Sequence, residues 1–438
     1  MHDGEVHRAI FHAGRTSYEQ FCQSGLYDRL VAKRLIVQHE ELLAPDWALD
    51  GCWRVIRPER IPFISYAYEW SFNQLKDAAL AMLDIQREAL RVGMTLKDAP
   101  SANIQFLKGR PVLIDTLSLV PVAGQTWPAY FQFCKHFVAP LLLASYIDAS
   151  TLRWLAVEAD GIPLELAAAA LPWRSKFCGL SLWHVHLHAK ANRSAALASA
   201  GVAQGSSDGS WRQEAIIDSL ARGIERLRPA TVQSEWTRYA DDHPTYTSAA
   251  WDAKVLFVER VLASEKPGVV WDLGMAAGHF SRRAARAGAM TIGFDSDAAS
   301  VDKAYLALTH AGTEGVLPLV QNLLRPTPAS GWAGRELAGL VERGPADLLL
   351  VLGLVHHLAV RGGVPYRQQF EFYAQLASTV VIELIPPTDP VVIEWSTRFE
   401  IRGVDQQAFE AAAAAAFTTV ERFPIPSSER VLYTLRRK

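Results

Sequence analysis

The chain has 438 residues, half of them hydrophobic, which is enough for roughly two or three domains with sizeable cores. Its 44 Lys and Arg against 46 Asp and Glu leave a net charge of −2, and no basic run stands out, which argues against nucleic acid as the main partner. Four scattered cysteines (Cys22, Cys52, Cys134, Cys178) form no CxxC pair, MHDGEVHRAIFHAG lacks an apolar signal core, and no apolar run approaches ~18 residues. The expectation is a reduced, cytoplasmic protein without a structural metal site or a membrane span.

Along the chain, Val6–Phe11 reads as a strand. Ser17–Lys33 has helical spacing, with Tyr18, Phe21, Leu26, Leu30 and Val31 facing inward. Trp53–Ile56 and Ile61–Tyr66 read as strands. Ser71 caps a long helix, Phe72–Val92, whose inner side carries Leu75, Ala79, Met82, Ile85 and Ala89.

The next stretch, Met94–Ser118, has a distinct pattern. Asp98 and Asn103 are separated by four residues. A hairpin follows (Ile104–Leu107, a Lys108-Gly109-Arg110 turn, Val112–Ile114) and ends at Asp115. In a kinase catalytic loop, Asp-x-x-x-x-Asn supplies a base and a metal-binding amide, and an Asp after the next hairpin holds magnesium. The region resembles the C-terminal lobe of the aminoglycoside-phosphotransferase and protein-kinase superfamily. That resemblance implies Mg-ATP ligands at Asp98, Asn103 and Asp115. Leu96-Lys97 and Asp115-Thr116-Leu117 depart from the family pattern, and the first 70 residues show neither a glycine-rich phosphate loop nor a Val-Ala-x-Lys strand. The expectation is a degenerate kinase-like α+β domain with an abbreviated N-lobe over residues 1–190.

Trp127–Ala156 reads as packed helices. His184, His186 and His188 would share one face of a strand, as a metal site needs, whereas on a helix only His184 and His188 would. Structural histidines are the reading adopted, with no metal. Ala189–Ser210, rich in Ala, Gly and Ser, reads as a linker, and Trp211–Leu227 as a connecting helix, so that 191–233 separates two domains. Ser234–Tyr246 places three aromatics ahead of the second domain, as a lid or as plain packing. Ala250–Ala263 is the helix before its first strand.

The second domain, 234–438, opens on VVWDLGMAAGHFSRRAARAGAMTIGFDSD, which reads as strand, glycine turn, helix and strand. The turn is Asp272, Gly274, Gly278, with Met275 and Ala276 where a dinucleotide fold prefers a second glycine. An acid, Asp295, follows at the distance at which a βαβ unit places its ribose ligand. A cofactor without pyrophosphate suits such a turn. Phe280, Ala284, Ala285 and Ala287 would face the sheet. Ala298–His310 is the next helix, and Val316–Val320 the third strand, running into Gln321-Asn322. Ala346–Leu352 is the fourth strand, followed by Gly353 and the pair His356-His357. Thr379–Leu384 is the fifth, with Glu383 near its end. A helix from Gln406 through Ala416 precedes closing strands at Phe417–Arg422 and Arg430–Arg436. The alternation predicts a doubly wound, Rossmann-like parallel sheet.

This order resembles the class I S-adenosylmethionine-dependent methyltransferases over Ser234–Lys438, and the whole chain is similar to bacterial nodulation-related methyltransferase-like proteins. The resemblance implies S-adenosylmethionine as cofactor, bound by Asp272, Gly274, Met275, Gly278, Asp295, Asn322 and Gly353, with Asn322 at the adenine. His356, His357 and Glu383 are the candidate bases. An Asn-Pro-Pro-Tyr motif is absent, with Leu352-Gly353-Leu354 in its place, so DNA adenine is disfavoured as acceptor. The expected partner is a small-molecule acceptor shaped or presented by the N-terminal domain, and a homo-oligomer is left open. Two rivals remain: a bifunctional ATP-dependent enzyme, and a non-catalytic interaction protein that binds S-adenosylmethionine.

Overall fold

The computed structural model describes residues 4–43, 45, 47–123, 127–190, 210–230, 246–396 and 405–438. The chain divides into two compact units, Met1–Val232 and Gln233–Lys438. Residues 191–209 and 231–245, which carry most of the expected linker and of the expected lid, lie outside the described residues.

The first unit is α+β. Strands β1 (Arg8–Phe11), β2 (His39–Leu43) and β3 (Cys52–Pro58) form an antiparallel sheet in the order β1-β3-β2. Helices α1 (Arg15–Gln23) and α2 (Leu26–Ala32) lie between β1 and β2 in sequence. The single helix expected over 17–33 is broken because Gly25 takes φ 69°, a left-handed conformation that restarts the chain as a new helix. Tyr18, Phe21, Leu26 and Leu30 are buried as expected. Residues 61–66 are not a strand. Ser65 instead exchanges two hydrogen bonds with the Gln105 side chain, its N–H donating at 2.9 Å and its carbonyl accepting from Nε2 at 2.9 Å, so a side-chain amide replaces a neighbouring strand.

Helix α3 (Phe72–Leu90) is the spine of this unit. Ser71 and Gln74 close a reciprocal capping box at its start. Leu75, Ala79, Met82, Ile85 and Ala89 are fully buried along one side. Beyond it, β4 (Met94–Leu96) pairs with β7 (Leu119–Pro121), and β5 (Ile104–Leu107) with β6 (Arg110–Leu113), so that two short ladders frame the Asp98–Asp115 loop. Helices α4 (Ala139–Tyr146), α5 (Leu164–Ala170) and α6 (Ser210–Arg226) follow, and α6 packs on α3.

The second unit is a doubly wound, Rossmann-like α/β fold. Helix α7 (Ser248–Glu265) leads into β8 (Val269–Leu273), α8 (His279–Arg286), β9 (Met290–Asp295), α9 (Ala298–His310), β10 (Val316–Val320), β11 (Ala346–Val351), α10 (Tyr366–Leu376) and β12 (Ala377–Leu384). Then come α11 (Pro390–Ser396), α12 (Gln406–Ala416), β13 (Phe417–Pro424) and β14 (Val431–Arg437). The sheet order is β10-β9-β8-β11-β12-β14-β13, with β14 antiparallel to both of its neighbours and the first five strands parallel.

Parallel strands covered on both faces read as near-continuous apolar runs, which is why β8 to β12 were legible. Val255, Val258, Val261 and Leu262 of α7 pack on Val270, Leu348, Leu350 and Leu432 of the sheet. Asp347 Oδ2 accepts from the backbone N–H of both Gly268 and Val269, at 2.9 and 2.8 Å, pinning the start of β8 to β11. On α8, Phe280 and Ala284 are buried, but Ala287 is exposed at the helix end instead of facing the sheet.

Candidate functional site

Strand order reverses between β8 and β11, and in open α/β sheets ligands sit at the carboxyl ends of the strands beside such a switch point. A cavity of about 420 Å³ opens there, within the roughly 300–1,000 Å³ typical of small-molecule sites. The loops after β8, β9, β10 and β11 line it, together with residues of α7.

The glycine turn after β8 is built around one close contact. Gly274 and Gly278 take φ 76° and 73°, which their missing side chains permit. Met275 is 5% exposed and folds inward across β9. A Cβ added to Gly293 would stand 2.3 Å from its sulfur, so a side chain there would force the thioether to move. The thioether therefore fills the space that a second turn glycine would leave open.

Asp295, at the end of β9, ties this turn in place. Its Oδ2 accepts from the Ala276 N–H and its Oδ1 from the Asp297 N–H, both at 2.9 Å. The carboxylate also lines the cavity, where it can accept from a ligand hydroxyl. Asp272 accepts from Ser281 Oγ at 2.6 Å. Burial raises both carboxyls to about 6, with Asp295 adding to the effect at Asp272.

Sequence reasoning put Asn322 at the base-recognition position and passed over its neighbour. Asn322 Oδ1 accepts from the Leu324 N–H at 2.9 Å, in a local turn. Gln321 is the more deeply buried residue, 4% exposed and on the cavity lining. Its Oε1 accepts from Thr327 Oγ1, while its Nε2 is a buried donor without a partner among the described residues. A polar residue directly after the fully buried β10 was the available signal.

On the other side of the switch point, Gly353 takes φ 71°, and a Cβ there would have Glu383 Oε2, 3.9 Å away, as its nearest neighbour. His356 and His357 line the cavity with ring centroids 4.3 Å apart. Burial lowers both, His356 well below the ordinary histidine value and His357 to about 4, so both are neutral at pH 7.

Glu383 stands differently from the expectation of a base open to the ligand. It is fully buried and absent from the cavity lining. Oε2 accepts from Lys254 Nζ at 2.8 Å, and Oε1 from Tyr246 OH at 2.5 Å. Burial pushes the carboxyl up, but Lys254 and Arg430 outweigh it and hold it below its ordinary value. Lys254 of α7 is its buried counter-ion. Lys254 Nζ also donates to Tyr246 OH at 2.9 Å and lies 5.3 Å from the centre of the Phe280 ring. Arg430 sits 4.4 Å from the Tyr246 ring centre and donates from Nε to Asp389 at 2.8 Å. Tyr246, Lys254 and Arg430 form the cavity wall that Glu383 and Asp389 hold from behind.

In the first unit, Asp115 Oδ1 receives Arg8 Nη1 at 2.5 Å, and its Oδ2 accepts from Ser118 Oγ at 2.7 Å. Asn103 Nδ2 donates to the same Ser118 hydroxyl at 3.1 Å. Ser118 thus links Asn103 and Asp115, while Asp98 is half-exposed, with Lys97 3.9 Å away. The three histidines are on a helix. His184 Nδ1 and His188 Nε2 both meet Tyr130 OH, at 2.7 and 2.8 Å, and His186 Nε2 meets Ser175 Oγ at 2.8 Å. Among the described residues no group of three His, Cys, Asp or Glu is placed to hold a metal, and no helix is long and apolar enough to cross a membrane.

The chain is 34% identical over 393 residues to the nodulation protein NoeA of Rhizobium meliloti (strain 1021), covering 88% of this chain and 82% of the relative. It belongs to the NoeA family. No family model matches this NoeA-family chain. Among solved structures, it is similar to the N-methyltransferase NodS of Bradyrhizobium japonicum WM9, with 16% identity, TM-score 0.33, and coverage of 45% of this chain and 98% of that one. It is also similar to magnesium protoporphyrin IX methyltransferase (ChlM) of Synechocystis PCC 6803, with 16% identity, TM-score 0.32, and coverage of 43% and 83%. The bifunctional kinase-methyltransferase WbdD gives 17% identity, TM-score 0.33, and coverage of 47% and 43%.

Proposed function

We propose that the C-terminal unit of this NoeA-family chain is an S-adenosylmethionine-dependent methyltransferase for a small-molecule acceptor, and that the N-terminal unit is a kinase-like scaffold that shapes or presents it. The observation that carries the reading is Asp295, a carboxylate fixed by two backbone N–H groups at the switch point of the sheet, on the cavity wall. The residues present fit this cofactor. Asp295 offers its carboxylate to a ribose hydroxyl, and Gln321 Nε2 is a buried donor on the cavity lining. Met275 stands in the turn where a dinucleotide fold prefers a second glycine, while Asp272, Gly274 and Gly278 suit a ligand end bearing an ammonium.

When bound, S-adenosylmethionine supplies a methyl group already activated by its sulfonium. The work of this chain is then to exclude water, hold the acceptor and take up a proton. His356 and His357 line the cavity and are the candidate bases, and burial, which lowers both, makes each a weaker proton acceptor than a free imidazole. Glu383 acts through Lys254 and Tyr246 as a positioning residue. In the first unit, Arg8 places a cation on the carboxylate that magnesium would require, which supports a scaffold over a phosphotransferase.

Titration calorimetry with S-adenosylmethionine, S-adenosylhomocysteine and Mg-ATP tests the reading. The first two bind and Mg-ATP does not. Asp295→Ala weakens both adenosyl ligands by tenfold or more. Unchanged affinity in that variant overturns the ribose assignment, and Mg-ATP binding lost in Asp115→Ala overturns the scaffold.

A further inference from the structure

A second concave feature lies wholly within the first unit, between the segment around Arg174–Trp183 and the end of α6. It is a groove of about 800 Å³ whose lining includes four arginines, Arg174, Arg222, Arg226 and Arg228, and, among the described residues, no Asp or Glu. Tyr146 and Trp183 supply aromatic walls, and the Trp183 side chain is unusually open for its size, with the residue 61% exposed.

Two of these arginines are already fixed. Arg174 lies 5.7 Å from the Tyr146 ring centre and donates to the Tyr146 carbonyl at 3.3 Å. Arg228 donates from Nη1 to the carbonyls of Glu225 and Leu227, at 2.8 Å each. Lys76 Nζ donates to the same two carbonyls, at 2.8 and 3.2 Å. The carbonyls at the end of α6 are therefore satisfied, and their partial negative charge is offset, without help from Arg222 or Arg226. These two stand one helical turn apart on α6, exposed on the same side. Gly223 between them permits the close approach of α6 to the other wall, since a Cβ there would stand 2.8 Å from Leu180. Like charges lining one groove repel each other modestly where they face water, and an anion between them replaces that repulsion with attraction. Guanidinium forks match phosphate oxygens in pairs, and an exposed indole beside them accepts a planar or apolar group.

We propose that this groove binds a ligand bearing one or more phosphoryl groups next to a planar or apolar moiety, separately from the cofactor cavity of the second unit. A soluble phosphorylated metabolite and a phospholipid headgroup share this chemistry, and the test separates them.

Titration calorimetry of the full chain uses inorganic pyrophosphate and a nucleoside diphosphate. Co-sedimentation uses vesicles of phosphatidylglycerol against vesicles of phosphatidylcholine. Binding of either soluble probe, weakened at least tenfold in the exposed double variant Arg222→Gln/Arg226→Gln, supports the proposal with a soluble ligand. Binding to phosphatidylglycerol vesicles alone, lost in the same variant, supports it with a headgroup. Trp183→Ala weakens the nucleoside diphosphate or the vesicles more than pyrophosphate. Arg367→Gln, which removes an exposed arginine of the second unit, leaves binding unchanged, as does Asp295→Ala. No binding of any probe overturns the proposal. So does binding that survives the double variant, or binding lost equally in Arg367→Gln, which marks general charge attraction.

Discussion

Asp295 and Asp272 carry the pH dependence expected of the cofactor cavity. Both carboxyls are raised to about 6 by burial. An acid with a raised value is protonated below it, and the protonated form is the poorer partner for a cationic ligand with hydroxyls. Affinity for S-adenosylmethionine therefore falls as pH drops through 6, and binding below pH 6 releases protons. Calorimetry in two buffers of different ionisation enthalpy reads that release directly; a flat affinity between pH 7 and 5 contradicts it. Glu383 behaves in the opposite sense. Its folded-state value lies below that of an unfolded chain, so its stabilisation is present above the unfolded value and is lost as pH falls through the lowered one. Removing the charge with Glu383→Gln leaves Lys254 buried without its counter-ion, and such losses cost about 3–5 kcal/mol. Chemical denaturation of that variant checks the magnitude. Glu383→Gln paired with Lys254→Met recovers much of it, because the buried ammonium left without its counter-ion is then gone.

Among elements, the capping box of α3 gives a clean measurement. Ser71→Ala removes an acceptor for the Gln74 N–H at the head of a buried helix, and losses of this kind cost about 1 kcal/mol. A shifted denaturation midpoint at constant slope reports it. What the sequence displayed at this scale follows from burial on one face or on two. The strands β8 to β12, α3 and α9 carried apolar runs or an unbroken apolar stripe, and their boundaries were legible to within about two residues. Strand β2 (His39-Glu40-Glu41) is polar and owes its place to pairing with β3, so no periodicity announces it. Helix α10 was passed over because Arg367, Gln368 and Gln369 dilute its apolar side. The site divides along the same line. Asp272, Gly274, Gly278 and Asp295 have a fixed spacing on one βαβ unit and were visible. The Lys254–Glu383 pair depends on burial and on residues far apart in sequence, which no local pattern encodes, and Gln321 was signalled only by its place directly after the buried β10.

At the scale of the whole molecule, the two units each bury their own apolar core. Thermal unfolding is expected to show two transitions, with S-adenosylmethionine raising only that of the C-terminal unit, by the mass-action stabilisation of the state that binds it. A scan with and without ligand reads this, and an equal rise in both transitions contradicts it. The kinase-like reading of the first unit also belongs here. Two ladders frame the Asp98–Asp115 loop, yet Arg8, from the first strand of the chain, neutralises Asp115. Arg8→Ala frees that carboxylate, so weak magnesium binding appearing only in the variant would locate the block in a single side chain.

The contact between Met275 and Gly293 has a consequence for how such a sequence drifts. The two positions are coupled, because a Cβ at 293 would stand 2.3 Å from the thioether. A descendant that exchanges this glycine for alanine must move or shorten the Met275 side chain. Met275 also lines the cavity, so a packing contact between the turn and β9 bears on the shape that the cavity offers a ligand.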